Sequence, residues 1–225
     1  MNVQNGRTRS ADEIRVAMAT IPFRWQRWLD IYIFLNVSGY FGWQTWRIIA
    51  EGRLDFIEGM FILHNIIVCL CFLLRTSARA IQTTVSHQAV AICAFYSGAF
   101  FIGPPATESP MLLELSWWGI LIGTVIGIFS LLQLGRSFGV LIAVRTLRTT
   151  GLYGWVRHPM YLSDIIMRLG YFLSHPTLFV GILFVASSVC YVVRAMLEER
   201  FWMEQDFAYT DYMQRVRYRF IPGVF

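Results

Sequence analysis

Five long stretches of this chain contain no charged residue, and nothing else in the sequence limits its fold so strongly. Residues 31–46 lie between Asp30 and Arg47, residues 59–74 between Glu58 and Arg75, and residues 80–107 between Arg79 and Glu108. Two more are residues 115–135, between Glu114 and Arg136, and residues 169–193, between Arg168 and Arg194. A helix needs roughly 20 apolar residues to cross the hydrocarbon of a bilayer. No water reaches the backbone there, so a chain with several such stretches satisfies its amides within helices. The mean hydropathy of +0.51 and the 56% hydrophobic content exclude an ordinary soluble domain of 225 residues. The two shorter windows reach membrane length through flanking Trp, Tyr and Arg, which suit the interface. The expected fold is all-α, a polytopic transmembrane helical bundle of about six spans.

The spans are expected at about 29–47, 57–74, 84–102, 115–134, 160–173 and 177–197, the last two forming a helical hairpin that turns at Ser174-His175-Pro176. Charge placement orients them. All 19 basic residues are Arg and the net charge is +5. They gather at span ends, which reads as topology and lipid-headgroup contact and excludes nucleic acid as a partner. The loop from 135 to 159 carries Arg136, Arg145, Arg148 and Arg157 and no acid, so it is expected in the cytosol. Counting spans puts both termini there too. The expected location is a bacterial inner membrane, with membrane lipids as partners and no cleavable leader.

Smaller features fill in the frame. Ser10-x-x-Glu13 reads as a capping box, opening a surface helix that Pro22 ends. Trp25, Trp28 and Tyr32 suit an interface belt. His64 and Asn65 predict a helix–helix hydrogen bond within span 2. Gly119, Gly123 and Gly127 share one face of span 4 and allow close packing. Cys69, Cys71, Cys93 and Cys190 all fall in apolar windows and read as buried thiols, with no metal expected. The chain divides at about residue 114, with a surface helix and three spans before it. After span 6, Phe201, Tyr209, Tyr212, Met213 and Val216 recur among charges, as in an amphipathic helix folded back over the bundle. The apolar end, Arg219 to Phe225, is expected to dock.

The chemistry concentrates in Gly151-Leu-Tyr-Gly-Trp-Val-Arg-His-Pro-Met-Tyr161 and in the hairpin after it. Pro159 suits the first turn of a helix. Tyr161, Asp164, Ile165 and Arg168 then share one helical face, and Asp164 can pair with Arg168 at i,i+4. Charges at membrane depth are costly and rarely face lipid. Arg194 and Glu198 share a face of span 6 in the same way.

The run from Thr149 to Tyr161, an apolar hairpin, Glu198-Glu199, Tyr209-x-x-Tyr212 and Arg219-Phe-Ile-Pro together resemble the isoprenylcysteine carboxyl methyltransferase family over residues 115–225. The resemblance implies a membrane methyltransferase core that uses S-adenosylmethionine. Thr146, Leu147, Tyr153, His158, Pro159, Met160, Tyr161 and Glu198 would bind the cofactor, and Arg194 would meet the substrate. The acceptor would be a carboxylate on a lipophilic or lipidated molecule, which is already ionised and needs no base. Arg145, Arg148, Leu152, Ser163, Asp164 and Arg168 depart from the family pattern. Phospholipid N-methylation, thiol methylation, an NADPH-dependent membrane reductase and a non-enzymatic transporter stay open as alternatives.

Overall fold

The computed structural model describes residues 23–101 and 105–224. The expected surface helix at residues 10–21 lies outside them. Among the described residues, seven α-helices and a single two-stranded ribbon occur in order: α1 (Phe23–Ala50), α2 (Phe56–Leu73), β1 (Ala80–Ile81), α3 (Val85–Tyr96), α4 (Pro110–Leu134), β2 (Ala143–Val144), α5 (Pro159–Ser174), α6 (Leu178–Gln205) and α7 (Phe207–Arg215). This is an all-α membrane protein. Three stretches, Phe56–Leu73, Pro110–Ser137 and Leu178–Gln205, are long and apolar enough to cross a bilayer. Large apolar side chains on α2, α4 and α6, among them Ile66, Leu70, Phe129, Phe179, Ile182 and Val185, point outward. An outward apolar surface of that extent suits lipid.

Local chemistry sets the ends. Asp55 caps α2 by accepting from the Glu58 amide at 2.8 Å. Pro110 and Pro159 start α4 and α5, where a missing N–H costs nothing. Thr177 caps α6, and Asp206 separates α6 from α7 while accepting from the Ala208 amide. Two helices are shorter than a span needs. The window at 84–102 does not continue as one helix: α3 stops at Tyr96 and a 3₁₀ turn covers Ser97–Phe100. At 1.5 Å per residue, α3 covers roughly 18 Å and α5 roughly 24 Å. Their deficit is met inside the bundle, where both lie against longer neighbours.

The closest packing is between α4 and α5, and glycine permits it. A Cβ on Gly119 would stand 3.2 Å from the Gly170 Cα, and one on Gly123 would stand 2.9 Å from the Ser163 carbonyl. The glycine stripe of α4 is thus architectural, as its spacing predicts. A cluster of Val37, Val68, Phe72, Leu131, Phe138 and Val140 binds α1 and α2 to α4 and the loop after it.

The same count of spans puts the 75–84 loop, with Arg75 and Arg79, on the side of the 135–159 loop, and the two meet at one end of the bundle. Ala80 pairs with Val144 and Ile81 with Ala143, antiparallel. The Gln88 amide bonds both the N–H and the carbonyl of Ile142, and Arg136 donates to the Leu74 carbonyl at 2.8 Å. At the opposite end, the amides of Ala106 and Thr107 donate to the Ser174 carbonyl. The four cysteines are free thiols. Cys71 is buried, but Cys93 is exposed rather than enclosed.

Candidate active site

The loop from 135 to 158 is held from three directions. Gln133 accepts from the Leu152 amide at 2.8 Å. Gly151 sits at φ 62 beneath it, where a Cβ would fall 2.5 Å from the Gln133 side chain, so both backbone and space demand glycine. The Tyr212 hydroxyl donates to the Tyr153 carbonyl at 2.7 Å. The tail docks only at its start: the amides of Arg157 and His158 donate to the carbonyls of Tyr218 and Arg219, and Phe220 is buried, whereas Ile221 to Val224 are exposed, short of the docking expected for the whole apolar end.

These contacts shape a cleft of about 740 Å³, counting the part open to solvent, between the loop, the start of α5, the end of α6 and α7. Of the residues singled out from sequence, Thr146, Leu147, Tyr153, His158, Met160, Tyr161 and Glu198 all line it. Pro159 is fully buried at the first turn of α5, behind the wall. Arg194 lies beneath the cleft at 1% exposure. It donates to the carbonyls of Ala91 (3.2 Å), Gly139 (3.2 Å) and Val140 (2.6 Å) and to the Glu198 carboxylate (3.2 Å). Its guanidinium also stands 4.9 Å over the Tyr161 ring. Its geometry is that of a cross-link which aims Glu198.

The adjacent acids separate. Successive helical residues point about 100° apart, so Glu198 faces the cleft while Glu199 turns inward at 2% exposure. Glu198 accepts from the Tyr161 hydroxyl at 2.6 Å. Glu199 accepts from Arg157 at 2.7 Å and Arg219 at 2.8 Å, and His158 Nε2 lies 3.1 Å from it. The His158 ring stacks on Tyr161 with centroids 5.2 Å apart. Glu199 thereby fixes the Arg157-His158 pair that starts the hairpin.

Eleven further residues line the cleft that the sequence did not assign to it, and four of them bring chemistry. Trp202 and Tyr209 stack with centroids 5.5 Å apart, and Tyr212 meets Tyr209 edge-on, giving the cleft an aromatic corner. A signal for it exists, since Trp202 lies one helical turn after Glu198. The fourth, Arg145, is 6% exposed, and its Nε has no hydrogen-bond partner. Gly139 makes room for it, because a Cβ there would stand 2.6 Å from the guanidinium. Burial pushes Arg145 down to about 10. It therefore stays charged at neutral pH and invites an anion. Burial also pushes the phenols of Tyr153, Tyr209 and Tyr212 well above their usual range, so they remain neutral donors. No group of three metal-ligating side chains occurs among the described residues.

The fold and the cleft define a class: a helical membrane protein with a polar, aromatic-walled cleft at one end of a helical hairpin. A family model described as phospholipid methyltransferase matches residues 110–210, which hold α4, the cleft loop, the hairpin and the start of α7. No curated protein matches the chain. The match is to membrane methyltransferases and supports that class for this chain. It is named for phospholipids rather than for prenylcysteine, so the motif resemblance carries methyl transfer and leaves its acceptor apart.

Proposed function

We propose that this protein takes S-adenosylmethionine into the cleft and passes its methyl group to a lipophilic acceptor that arrives from the bilayer. The observation that carries the reading is Glu198, fixed by Tyr161 and Arg194, facing an aromatic corner in a cleft that also holds a buried arginine with an unpaired donor. These donors fit the cofactor. The Trp202–Tyr209 pair offers an adenine wall. Glu198 attracts ammonium and sulfonium charge, and Arg145 holds a carboxylate. The cofactor supplies an activated methyl when bound. The protein's part is to orient, to exclude water and to stabilise charge. Carboxylate acceptors are suggested by the motif resemblance and phospholipid amines by the matched family. Labelled methyl from S-adenosylmethionine is expected in the lipid fraction of membranes that contain the protein. No label above membranes lacking it would contradict the assignment.

Arg194 acts here as a positioning residue. Arg194→Lys keeps a charge but loses the fork that serves three carbonyls and Glu198 at once. Cofactor affinity and turnover should therefore fall together, each by roughly tenfold, the effect of about 1.4 kcal/mol. A loss of turnover with affinity intact would instead place Arg194 against the acceptor.

The cleft is proposed to open to the cytosol, with both termini on that side, since the Arg-rich loops and the tail share one end. Reporter fusions after residue 110 should read as external and fusions after residue 225 as internal. A C-terminal fusion that reads as external overturns this orientation.

A further inference from the structure

A second cavity lies inside the bundle, lined by α1 to α6 and the turn after α3; it measures about 970 Å³ counting its open part, as for the cleft, of which about 160 Å³ admits the centre of a water molecule. Met160 lines both this cavity and the cleft, so the two abut across one side chain. Phenylalanine and tyrosine rings make nearly half of the wall, and aliphatic side chains and a few polar groups share the rest. Gln44 donates to the Tyr40 hydroxyl through Nε2, but its Oε1 has no partner. Asn65 is 3% exposed, and neither its oxygen nor its nitrogen has one. The Nδ1 of His64 is likewise unmatched, so the hydrogen bond between helices that the sequence predicts is not made by these atoms. Arg168 also departs from expectation. It closes no ion pair with Asp164 but crosses to the Ala94 carbonyl and the Tyr191 hydroxyl through Nη2, leaving Nη1 without a partner. Its guanidinium stands over the rings of Tyr191 (4.6 Å) and Phe101 (5.4 Å). Asp164 lies in the same wall, near enough to His64 and Tyr191 to act on both electrostatically.

Buried polar atoms without partners are costly, and more so where hydrocarbon surrounds the helix. One such atom is a packing fault. Five on four side chains around one cavity are the complement of an occupant. Arg168 Nη1 and Asn65 Nδ2 require acceptors, while Gln44 Oε1 and Asn65 Oδ1 require donors, so the occupant carries both. A hydroxyl group is the smallest head that does. Asp164 and Arg168 contribute opposite charges, which favours a neutral head over a carboxylate or an ammonium. The water-accessible volume is close to that of the roughly 150 Å³ cavity known to accept benzene, and aromatic walls favour a flat ring.

We propose that this cavity seats the neutral, hydroxyl-bearing ring of a phenol-like lipophile. Its role as the acceptor's seat rests on the methyltransferase reading, whereas its role as a binding site does not. In that role the ring oxygen forms the new O–CH3 bond as the S–CH3 bond breaks. The sulfonium leaves as the neutral thioether of S-adenosylhomocysteine, and the Asp164 carboxylate takes the hydroxyl proton.

The test uses the purified full-length protein in detergent, with empty micelles as blank. Four probes share a short alkyl tail: 4-hexylphenol, hexylbenzene, octanoate and octylamine. S-adenosylhomocysteine binding is measured in parallel. The phenol should bind at least tenfold more tightly than hexylbenzene and should accept labelled methyl at oxygen. Asn65→Leu replaces an unmatched amide by an apolar side chain of similar size, so the thermal midpoint should hold or rise while phenol affinity falls at least tenfold and S-adenosylhomocysteine binding stays put. Gln44→Leu serves in its place if that variant does not fold. Octanoate or octylamine binding more tightly than the phenol overturns the neutral head. Equal binding of hexylbenzene, or no loss in either leucine variant, overturns the polar seat. Phenol binding without any S-adenosylhomocysteine binding supports the cavity as a site and overturns its role as the acceptor's seat.

Discussion

Glu199→Gln is expected to destabilise the protein by about 3–5 kcal/mol and to abolish ligand binding in the cleft, although Glu199 itself faces away from it. The Glu199 carboxylate is 2% exposed and takes Arg157, His158 and Arg219 together. Removing one member of a buried ionic group leaves the others unpaired in a medium that solvates them poorly, which sets the size of the loss. Arg157 retains the carbonyls of Val216 and Arg217 at 2.8 and 2.7 Å. It would be held by the tail but no longer by α6, so the start of α5 should loosen from the end of α6. Thermal unfolding in detergent, followed by circular dichroism, reads the effect. A midpoint unchanged within about 2 °C would mean that the three partners do not depend on Glu199.

The neighbouring acid should behave in the opposite way. Glu198 has a side-chain exposure of 18% and bonds Tyr161 and Arg194. Arg194 keeps three carbonyl partners without it. Glu198→Ala should therefore unfold at nearly the native temperature while cofactor affinity falls roughly tenfold to a hundredfold. That range corresponds to a lost charge-assisted contact of about 1.5–3 kcal/mol. Two adjacent glutamates would thus divide between folding and binding. Equal stability losses in both variants would remove that division.

Part of this architecture is legible in the sequence because the signals are local. Uncharged windows mark α2, α4 and α6. The motif from Gly151 to Tyr161 is contiguous, and Tyr161 and Glu198 meet through a hairpin with a short turn. The glycine stripe of α4 predicts a close partner, and Gly170 on α5 supplies it. The features that escape sequence reading depend on residues far apart in the chain. Gln88 grips Ile142 across 54 residues, and the β1–β2 pair has only two residues per strand, too few to leave a pattern. The partners of Glu199 come from both sides of the hairpin. Asp164 and Arg168 satisfy a local pairing rule, yet Arg168 spends its reach on Ala94 and Tyr191. An i,i+4 pair on a helix contributes only a few tenths of a kcal/mol, so tertiary partners outweigh it. Arg145 and Asn65 show the same limit, since neither the sequence nor a propensity reports that a buried polar atom lacks a partner.

The central claim is that the cleft binds the cofactor through Glu198 and its aromatic corner. Titration calorimetry with S-adenosylhomocysteine on the purified protein tests it most directly. The account predicts saturable binding of one molecule per chain, weakened strongly by Glu198→Ala and by Trp202→Ala and unaffected by NADPH. Tight binding of NADPH with none of S-adenosylhomocysteine would contradict it.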